Sequence, residues 1–195
     1  TTTDSEIIIH LMARAKSQNL EDSLIYALKR IKGAYSLVMM DSNTLIGVRD
    51  PLGFRPLCLG KLGNSWCLAS ETCALDLIKA KFVREVAPGE VIFINRDGLK
   101  SLKPEELQSQ DKFAFCAFEH VYFSRPDSVI FGETVHSVRR RLGEQLVKEH
   151  PMKADFVVPV PDSGFSAALG YSQSSGIPLE MGIIRNHYVG RTFIQ

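Results

Sequence analysis

One loop of the sequence has the residue types of a phosphate-binding turn. Residues 158–164 (VPVPDSG) lie between an apolar segment and a predicted helix that begins near Phe165. The free N–H groups at the start of a helix attract anions, and Gly164 would let a ligand approach the backbone closely. The Ser163 hydroxyl can bind a phosphate oxygen or the hydration shell of Mg²⁺. A plain turn with Ser163 as the helix N-cap explains the same residues equally well.

A second loop carries the cations that such an anion would need. Residues 185–192 (RNHYVGRT) follow the next predicted strand, and Arg185 and Arg191 can each bind phosphate oxygens with two N–H groups. Taken alone, this segment is better explained as a solvated basic loop. If both loops leave neighbouring parallel strands at their carboxyl ends, they meet where open α/β sheets bind ligands.

The four cysteines predict little chemistry on their own. Cys116 lies in an aromatic stretch, residues 113–123 (FAFCAFEHVYF), which favours a buried, inert thiol. The other three, Cys58, Cys67 and Cys73, form no C-x-x-C pair and offer no metal-ligand spacing with it. We therefore expect a reduced protein with structural cysteines.

A third charged segment favours a structural interpretation. Residues 49–57 (RDPLGFRPL) combine turn formers with charge between two predicted strands. Asp50 and Arg55 could pair across this turn and fix its conformation.

The composition excludes several classes of function. The chain of 195 residues has 23 Lys and Arg against 22 Asp and Glu, a net charge of +1. This balance argues against a nucleic-acid-binding protein, which needs a concentrated basic face. No apolar run approaches the roughly 20 residues of a membrane span, and residues 1–6 resemble no targeting signal. The sequence also lacks a P-loop, G-x-G-x-x-G, H-E-x-x-H and G-x-S-x-G.

The elements that position these loops divide the chain into two parts. Two helices and then a run of short antiparallel strands predict an α+β layered domain in the first part. Residues 101–112 are polar, without apolar periodicity, and predict a linker or a domain boundary. In the second part, a basic helix (residues 134–150) precedes an apolar strand (156–160), a helix (165–174) and a further strand (179–184). Strand, helix and strand in this order predict a parallel βαβ unit.

Two sets of strings resemble known families. Residues 49–57, with 69–71 (ASE) and 87–90 (APGE), resemble class II glutamine amidotransferase domains. Residues 119–128 (EHVYFSRPDS), with 160–163 (VPDS) and 188–194 (YVGRTFI), are similar to the amidophosphoribosyltransferase family, and this second set is highly specific.

The resemblance implies a fold and an activity. Residues 1–105 would be the C-terminal part of a type 2 glutamine amidotransferase domain, an αββα sandwich of the N-terminal-nucleophile class. Residues 113–195 would be the N-terminal part of a type I phosphoribosyltransferase domain with a parallel sheet. The implied reaction is the first committed step of purine synthesis: ammonia from glutamine displaces pyrophosphate from phosphoribosyl pyrophosphate (PRPP), giving phosphoribosylamine.

The resemblance also assigns roles to residues. Asp4 would hold the glutamine amino group, while Asp162, Ser163 and Gly164 would form the pyrophosphate loop. Three further assignments concern the PRPP loop and the cofactors: a flexible PRPP loop with Arg185, Tyr188 and Arg191, a Mg²⁺ ion at Ser163, and a 4Fe–4S cluster ligand at Cys116.

The family's N-terminal nucleophilic Cys and its acidic PRPP signature have no counterpart here. We therefore expect an internal fragment that contains no catalytic residue of its own and is inactive alone, from a cytoplasmic homo-oligomer, with a plastid as the other location. The alternatives are a non-catalytic module that binds phosphate or Mg²⁺, and an interaction protein derived from such an enzyme.

Overall fold

The computed structural model describes residues 3–17, 19–109 and 113–188 and divides the chain into two compact units. The division falls between Cys116 and Ala117, and each unit is described by itself. In the part of the chain that the structure describes, no helix is long and apolar enough to cross a membrane.

The first unit begins with two helices, α1 (Glu6–Ala13) and α2 (Leu20–Leu28). The sequence predicts the second helix from Leu20 to Lys32, with Asn19 as its N-cap. This N-cap is confirmed, because the Asn19 side chain accepts a hydrogen bond from the Glu21 amide at 2.9 Å. The predicted end at Lys32 is wrong. The α-helix ends at Leu28, and the turn that follows is tighter, because the Ile31 amide donates to the Leu28 carbonyl, three residues back.

Seven strands of the first unit form two antiparallel sheets. The four-stranded sheet has the order β1-β2-β6-β7 and the three-stranded sheet the order β4-β3-β5. A short helix, α3 (Thr72–Leu77), lies between β4 and β5 in sequence. The strands are β1 (Ser36–Met40), β2 (Leu45–Arg49), β3 (Cys58–Leu62), β4 (Ser65–Ala69), β5 (Lys81–Glu85), β6 (Val91–Asn95) and β7 (Gly98–Leu102).

Alternation along β6 shows how the layers are held together. Val91 and Phe93 belong to the core beneath α1 and α2, whereas Ile92 and Ile94 belong to the core between the two sheets. Successive side chains of a strand point to opposite faces, so one strand contributes to both cores. A third core, around Leu75, packs α3 on the outside of the three-stranded sheet. The order helix, sheet, sheet, helix is the αββα layering that was predicted.

Two details of the first unit go beyond what the sequence predicts. The described part of the predicted linker, residues 101–109, is structured, because β7 continues to Leu102 and a 3-10 turn, Glu105–Leu107, follows. Leu107 is 2% exposed and packs in the core beneath the helices, so this segment closes the unit. Strands β5 and β6 are consecutive in sequence but lie in different sheets.

The second unit is built around two packed helices, α4 (Val135–Glu149) and α5 (Phe165–Ser175). Gly143 and Gly170 lie where these helices approach most closely, and a Cβ atom on either would overlap a backbone carbonyl of the other helix. A π turn (Glu119–Phe123) and a hairpin of β8 (Val129–Ile130) and β9 (Glu133–Thr134) precede α4.

The two strands predicted on either side of α5 are reduced to one parallel bridge, between Val157 and Leu179. The Val157 amide bonds the Pro178 carbonyl at 2.8 Å, and the Glu180 amide bonds the Val157 carbonyl at 2.9 Å. The predicted parallel direction is therefore confirmed, and the predicted strand lengths are not. A buried parallel strand needs neighbours on both sides, and within the described residues each segment pairs with the other alone.

Candidate functional site

The second unit contains a cavity of about 450 Å³ that gathers part of the predicted site. It lies beside the start of α5, where the positive end of the helix dipole favours an anion. Its lining consists of Tyr122, Phe123, Ser124, Arg125, Pro126, Arg139, Pro161, Asp162, Ser163 and Arg185. Asp162, Ser163 and Arg185 were predicted from the sequence, so the structure brings these three together.

Residues 161–164 form the turn that leads into α5. The N-cap of α5 is Gly164 and not Ser163, so the alternative of a simple Ser163 cap is wrong. The Gly164 amide donates to the Val160 carbonyl at 3.1 Å, and a Cβ atom on Gly164 would lie 2.6 Å from that oxygen. The turn is therefore too tight for a side chain at this position. The peptide bond between Pro161 and Asp162 is cis.

An ion pair joins the two predicted loops. The Arg185 guanidinium lies 3.3 Å from the Asp162 carboxylate, and the two side chains are 49% and 70% exposed. An exposed pair of this kind contributes little stability. Breaking this ion pair so that Asp162 or Arg185 can bind a ligand therefore costs little free energy.

Tyr188, also assigned to the predicted PRPP loop, does not line this cavity. Tyr188 is fully exposed, and its amide bonds the Asn186 side chain at 3.0 Å. Arg191 lies outside the described residues.

One wall of the cavity was missed by sequence reasoning. This wall consists of residues 122–126 (YFSRP, the 122–126 wall) and Arg139. None of them was predicted as a ligand, although residues 122–126 belong to a string that carried the family resemblance. Arg125 brings a second cation, paired with Asp127 through two hydrogen bonds of 3.1 and 2.9 Å. An Arg-Pro-Asp string after an aromatic run was the signal that could have identified this wall.

The predicted glutamine ligand lies in the first unit. Asp4 is exposed just before α1, and its carboxylate accepts a hydrogen bond from the Ser5 amide at 2.7 Å. The exposed position leaves the second carboxylate oxygen open to solvent, as a ligand for an ammonium group requires.

The charged loop at residues 49–57 is held mainly by a buried arginine. Arg49 is 1% exposed and donates to the carbonyl oxygens of Arg55, Gly53 and Val86 at 2.9, 3.0 and 2.6 Å. The Asp50 carboxylate accepts the amides of Leu52 and Phe54. These contacts support the structural interpretation of this loop.

The four cysteines are all free thiols. The Cys116 sulfur lies 3.5 Å from the Arg55 guanidinium. Burial, and secondly the Glu85 carboxylate, raises the pKa of the Cys58 thiol to about 12, so this thiol is inert near neutral pH. Among the described residues, no three His, Cys, Asp or Glu side chains come together to hold a metal ion.

Comparison with known proteins agrees with this arrangement. Residues 1–77 match the glutamine amidotransferase domain family. Over its full length the chain is 50% identical to an amidophosphoribosyltransferase of Rhizobium etli and covers 40% of it. It is 46% identical to the Bacillus subtilis enzyme and 48% identical to a chloroplastic one of Glycine max, covering 40% and 34% of them.

A solved structure shows the same fold. It is a glutamine phosphoribosylpyrophosphate amidotransferase from B. subtilis complexed with ADP and GMP. The TM-score is 0.92 at 45% identity, over the whole of this chain and 42% of that one. The chain thus spans about two fifths of the length of these relatives. Over its whole length, and through both units, the chain is similar to amidophosphoribosyltransferases.

Proposed function

We propose that this chain acts as a segment of an amidophosphoribosyltransferase, in which ammonia released from glutamine displaces pyrophosphate from PRPP. The observation that carries the proposal is the placement of Asp162, Ser163 and Arg185 around one cavity at the start of α5. Those groups follow two chain segments joined by a parallel bridge, the position at which open α/β sheets bind phosphorylated ligands.

In this proposal the second unit binds the leaving group. The N–H groups at the start of α5 and the Arg185 guanidinium face the pyrophosphate, and the negative charge on it grows as its bond to the ribose C1 breaks. The ammonia nitrogen forms a bond to C1, the electron pair of the broken C–O bond leaves with pyrophosphate, and the nitrogen loses a proton. Gly164 would contribute indirectly, because its lack of a side chain permits the tight turn that carries Asp162 and Ser163.

The first unit would contribute to glutamine binding. Asp4, which is exposed just before α1, would hold the glutamine amino group as an ion pair. No residue of this chain matches the family's nucleophilic Cys, so amide cleavage itself is assigned to a part of the enzyme outside these 195 residues.

Magnesium fits the cavity as an ion carried by the substrate. Mg²⁺ retains several waters and takes one or two protein oxygens together with phosphate oxygens. The Ser163 hydroxyl and the Asp162 carboxylate line the cavity and offer two such oxygens. When bound, the ion would neutralise charge on the pyrophosphate group.

A 4Fe–4S cluster takes four thiolates. Among the described residues, Cys116 lies beside the Arg55 guanidinium and belongs to no group of metal-binding side chains, so these residues supply at most one ligand of such a cluster.

The resemblance further implies a homo-oligomeric enzyme in the cytoplasm or a plastid. Relatives include bacterial enzymes and chloroplastic ones of plants. Size-exclusion chromatography with light scattering, and localisation of the tagged polypeptide, test these two assignments.

The function itself is tested with the complete polypeptide that carries this chain. Pyrophosphate release from PRPP is measured with glutamine and, separately, with free ammonia, each with Mg²⁺ present. We expect both nitrogen donors to support release. Absence of PRPP-dependent release with either donor would refute the proposal, while binding of PRPP without turnover would favour the non-catalytic module.

A further inference from the structure

Arg139, on α4, donates hydrogen bonds to the backbone of the segment that forms the cavity wall. It is 2% exposed. Its Nε donates to the His120 carbonyl at 2.5 Å, and its Nη2 donates to the Ser124 carbonyl at 2.8 Å. One planar guanidinium thus ties together two backbone oxygens that are four residues apart.

These oxygens belong to the π turn and its C-cap, where carbonyl groups lack partners within the helix. The turn is closed a second time at its ends. The Ser124 hydroxyl donates to the Glu119 carboxylate at 2.8 Å, and the Ser124 amide donates to the Glu119 carbonyl at 3.1 Å. Hydrogen bonds from Arg139 and from Ser124 therefore fix the same turn together.

The 122–126 wall continues directly from this turn. Ser124 is 2% exposed and its carbonyl is held by Arg139, while the next residue, Arg125, lines the cavity with its side chain. The Pro126 carbonyl is in turn held by the amide of His136 on α4, at 2.8 Å. The backbone on both sides of Arg125 is thus anchored to the same helix.

We propose that Arg139 is a positioning residue, which sets the 122–126 wall and with it Arg125 for binding a pyrophosphate-bearing ligand. This inference rests on the proposed function. Arg125 faces the cavity from the side of the wall, and Arg185 from the side of the 161–164 turn. Two cations on separate backbones suit a ligand with two phosphoryl groups.

The geometry requires the fork of an arginine and not merely a positive charge. A lysine ammonium is a point donor on a flexible stem, and it does not reproduce two parallel N–H groups in one plane. R139K keeps the positive charge but loses one of the two hydrogen bonds to the backbone carbonyls. The variant therefore distinguishes an effect of wall position from an effect of charge.

The test measures ammonia-dependent pyrophosphate release by the complete polypeptide as a function of PRPP concentration. In R139K we expect the KM for PRPP to rise about tenfold, the effect of one lost charge-assisted hydrogen bond, with kcat changed less than about twofold. R125Q should raise this KM similarly. The double variant R125Q/R139K should be no worse than R125Q alone, because both act through Arg125.

R141Q is the matched control. Arg141 lies on the same helix, is 54% exposed and pairs with Glu133 away from the cavity, so its KM should equal that of the wild type. An unchanged KM in R139K, or a fall in kcat alone, would overturn the inference while leaving the proposed function intact. R125Q leaves the backbone oxygens that Arg139 binds unchanged, and an unchanged KM in this variant would also overturn the inference. A wild-type enzyme without PRPP-dependent release would refute the proposed function, and the inference with it.

Discussion

The Arg185 guanidinium lies 3.3 Å from the Asp162 carboxylate, 23 positions away in sequence. This contact joins the two segments that leave the parallel bridge of Val157 and Leu179. Each partner sits after the carboxyl end of its segment, on the side where α5 begins. The ion pair therefore marks the mouth of the candidate ligand cavity and offers a direct way to test it.

Replacing Arg185 should weaken anion binding without weakening the fold. R185Q removes a cation from the cavity and an exposed ion pair that contributes at most about 0.5 kcal/mol. We expect the affinity for pyrophosphate in the presence of Mg²⁺ to fall about tenfold, measured by isothermal titration calorimetry. R141Q, a matched loss of an exposed arginine, should bind as the wild type does. Equal affinity in R185Q and the wild type would contradict the placement of the site.

The fold of the first unit was largely predictable because its signals are local. A short apolar run bounded by turn residues, as at Val91 to Ile94, indicates a strand from a few residues, and Asn19 identifies a helix start. The assignment of β5 and β6 to different sheets was not predictable, since nothing near Pro88 specifies which sheet the next strand joins. Leu107 was missed because a single buried leucine in a polar segment has no periodicity.

The candidate site was only partly predictable, for a different reason. Ser163 and Arg185 belong to loops whose residue types indicate anions directly. Arg139 lies in a helix with three consecutive arginines, and sequence alone does not distinguish it from the half-buried Arg140 and the exposed Arg141. The role of Arg139 depends on backbone oxygens, which have no signature in the sequence.

Gly143 should be required for packing of the second unit. G143A gains about 1 kcal/mol of helix propensity, but the new methyl group would overlap the Ala167 carbonyl on α5, which costs up to about 3 kcal/mol. We expect a net loss of about 2 kcal/mol, seen as faster hydrogen exchange of the α4 and α5 amides. Q145A, at an exposed position on α4, should leave exchange unchanged. Stabilisation by G143A would show that the helices are not in close contact.

Asp4 should matter for one nitrogen donor only. In the complete polypeptide, D4N removes the carboxylate proposed to hold the glutamine amino group, while the cavity of the second unit keeps its residues. We expect the KM for glutamine to rise about tenfold or more and the rate with free ammonia to stay within about twofold. D22N is the control, an exposed acid on α2 whose partner is the Ser17 hydroxyl. Equal losses with glutamine and ammonia would contradict the assignment.

Glu90 should link the stability of the first unit to pH. Its side chain is fully buried, and its carboxylate accepts four hydrogen bonds, two from Arg84 and one each from Ser101 and the Ala87 amide. Burial alone would raise the pKa of Glu90, but the hydrogen bonds and the Arg84 charge outweigh it and hold this pKa below its usual range. The carboxylate therefore stabilises the fold at neutral pH.

In E90Q an amide NH₂ group replaces one acceptor oxygen and faces donors, so we expect a loss of about 2 kcal/mol in the free energy of unfolding at pH 7. The single tryptophan, Trp66, packs between the two sheets and reports unfolding of this unit by fluorescence. K100Q removes an exposed ion pair with Glu21 and should cost no more than about 0.5 kcal/mol.

The pH dependence decides whether the charge of Glu90 is responsible. Since the folded-state pKa is lowered, the unfolded chain takes up more protons below about pH 4.3, and the stabilisation disappears as the pH falls through the folded-state value. The difference between the wild type and E90Q should therefore be constant near neutrality and shrink in acid. A difference that stayed constant down to about pH 3 would mean that Glu90 acts through its shape and neutral hydrogen bonds, and not through its ionised form.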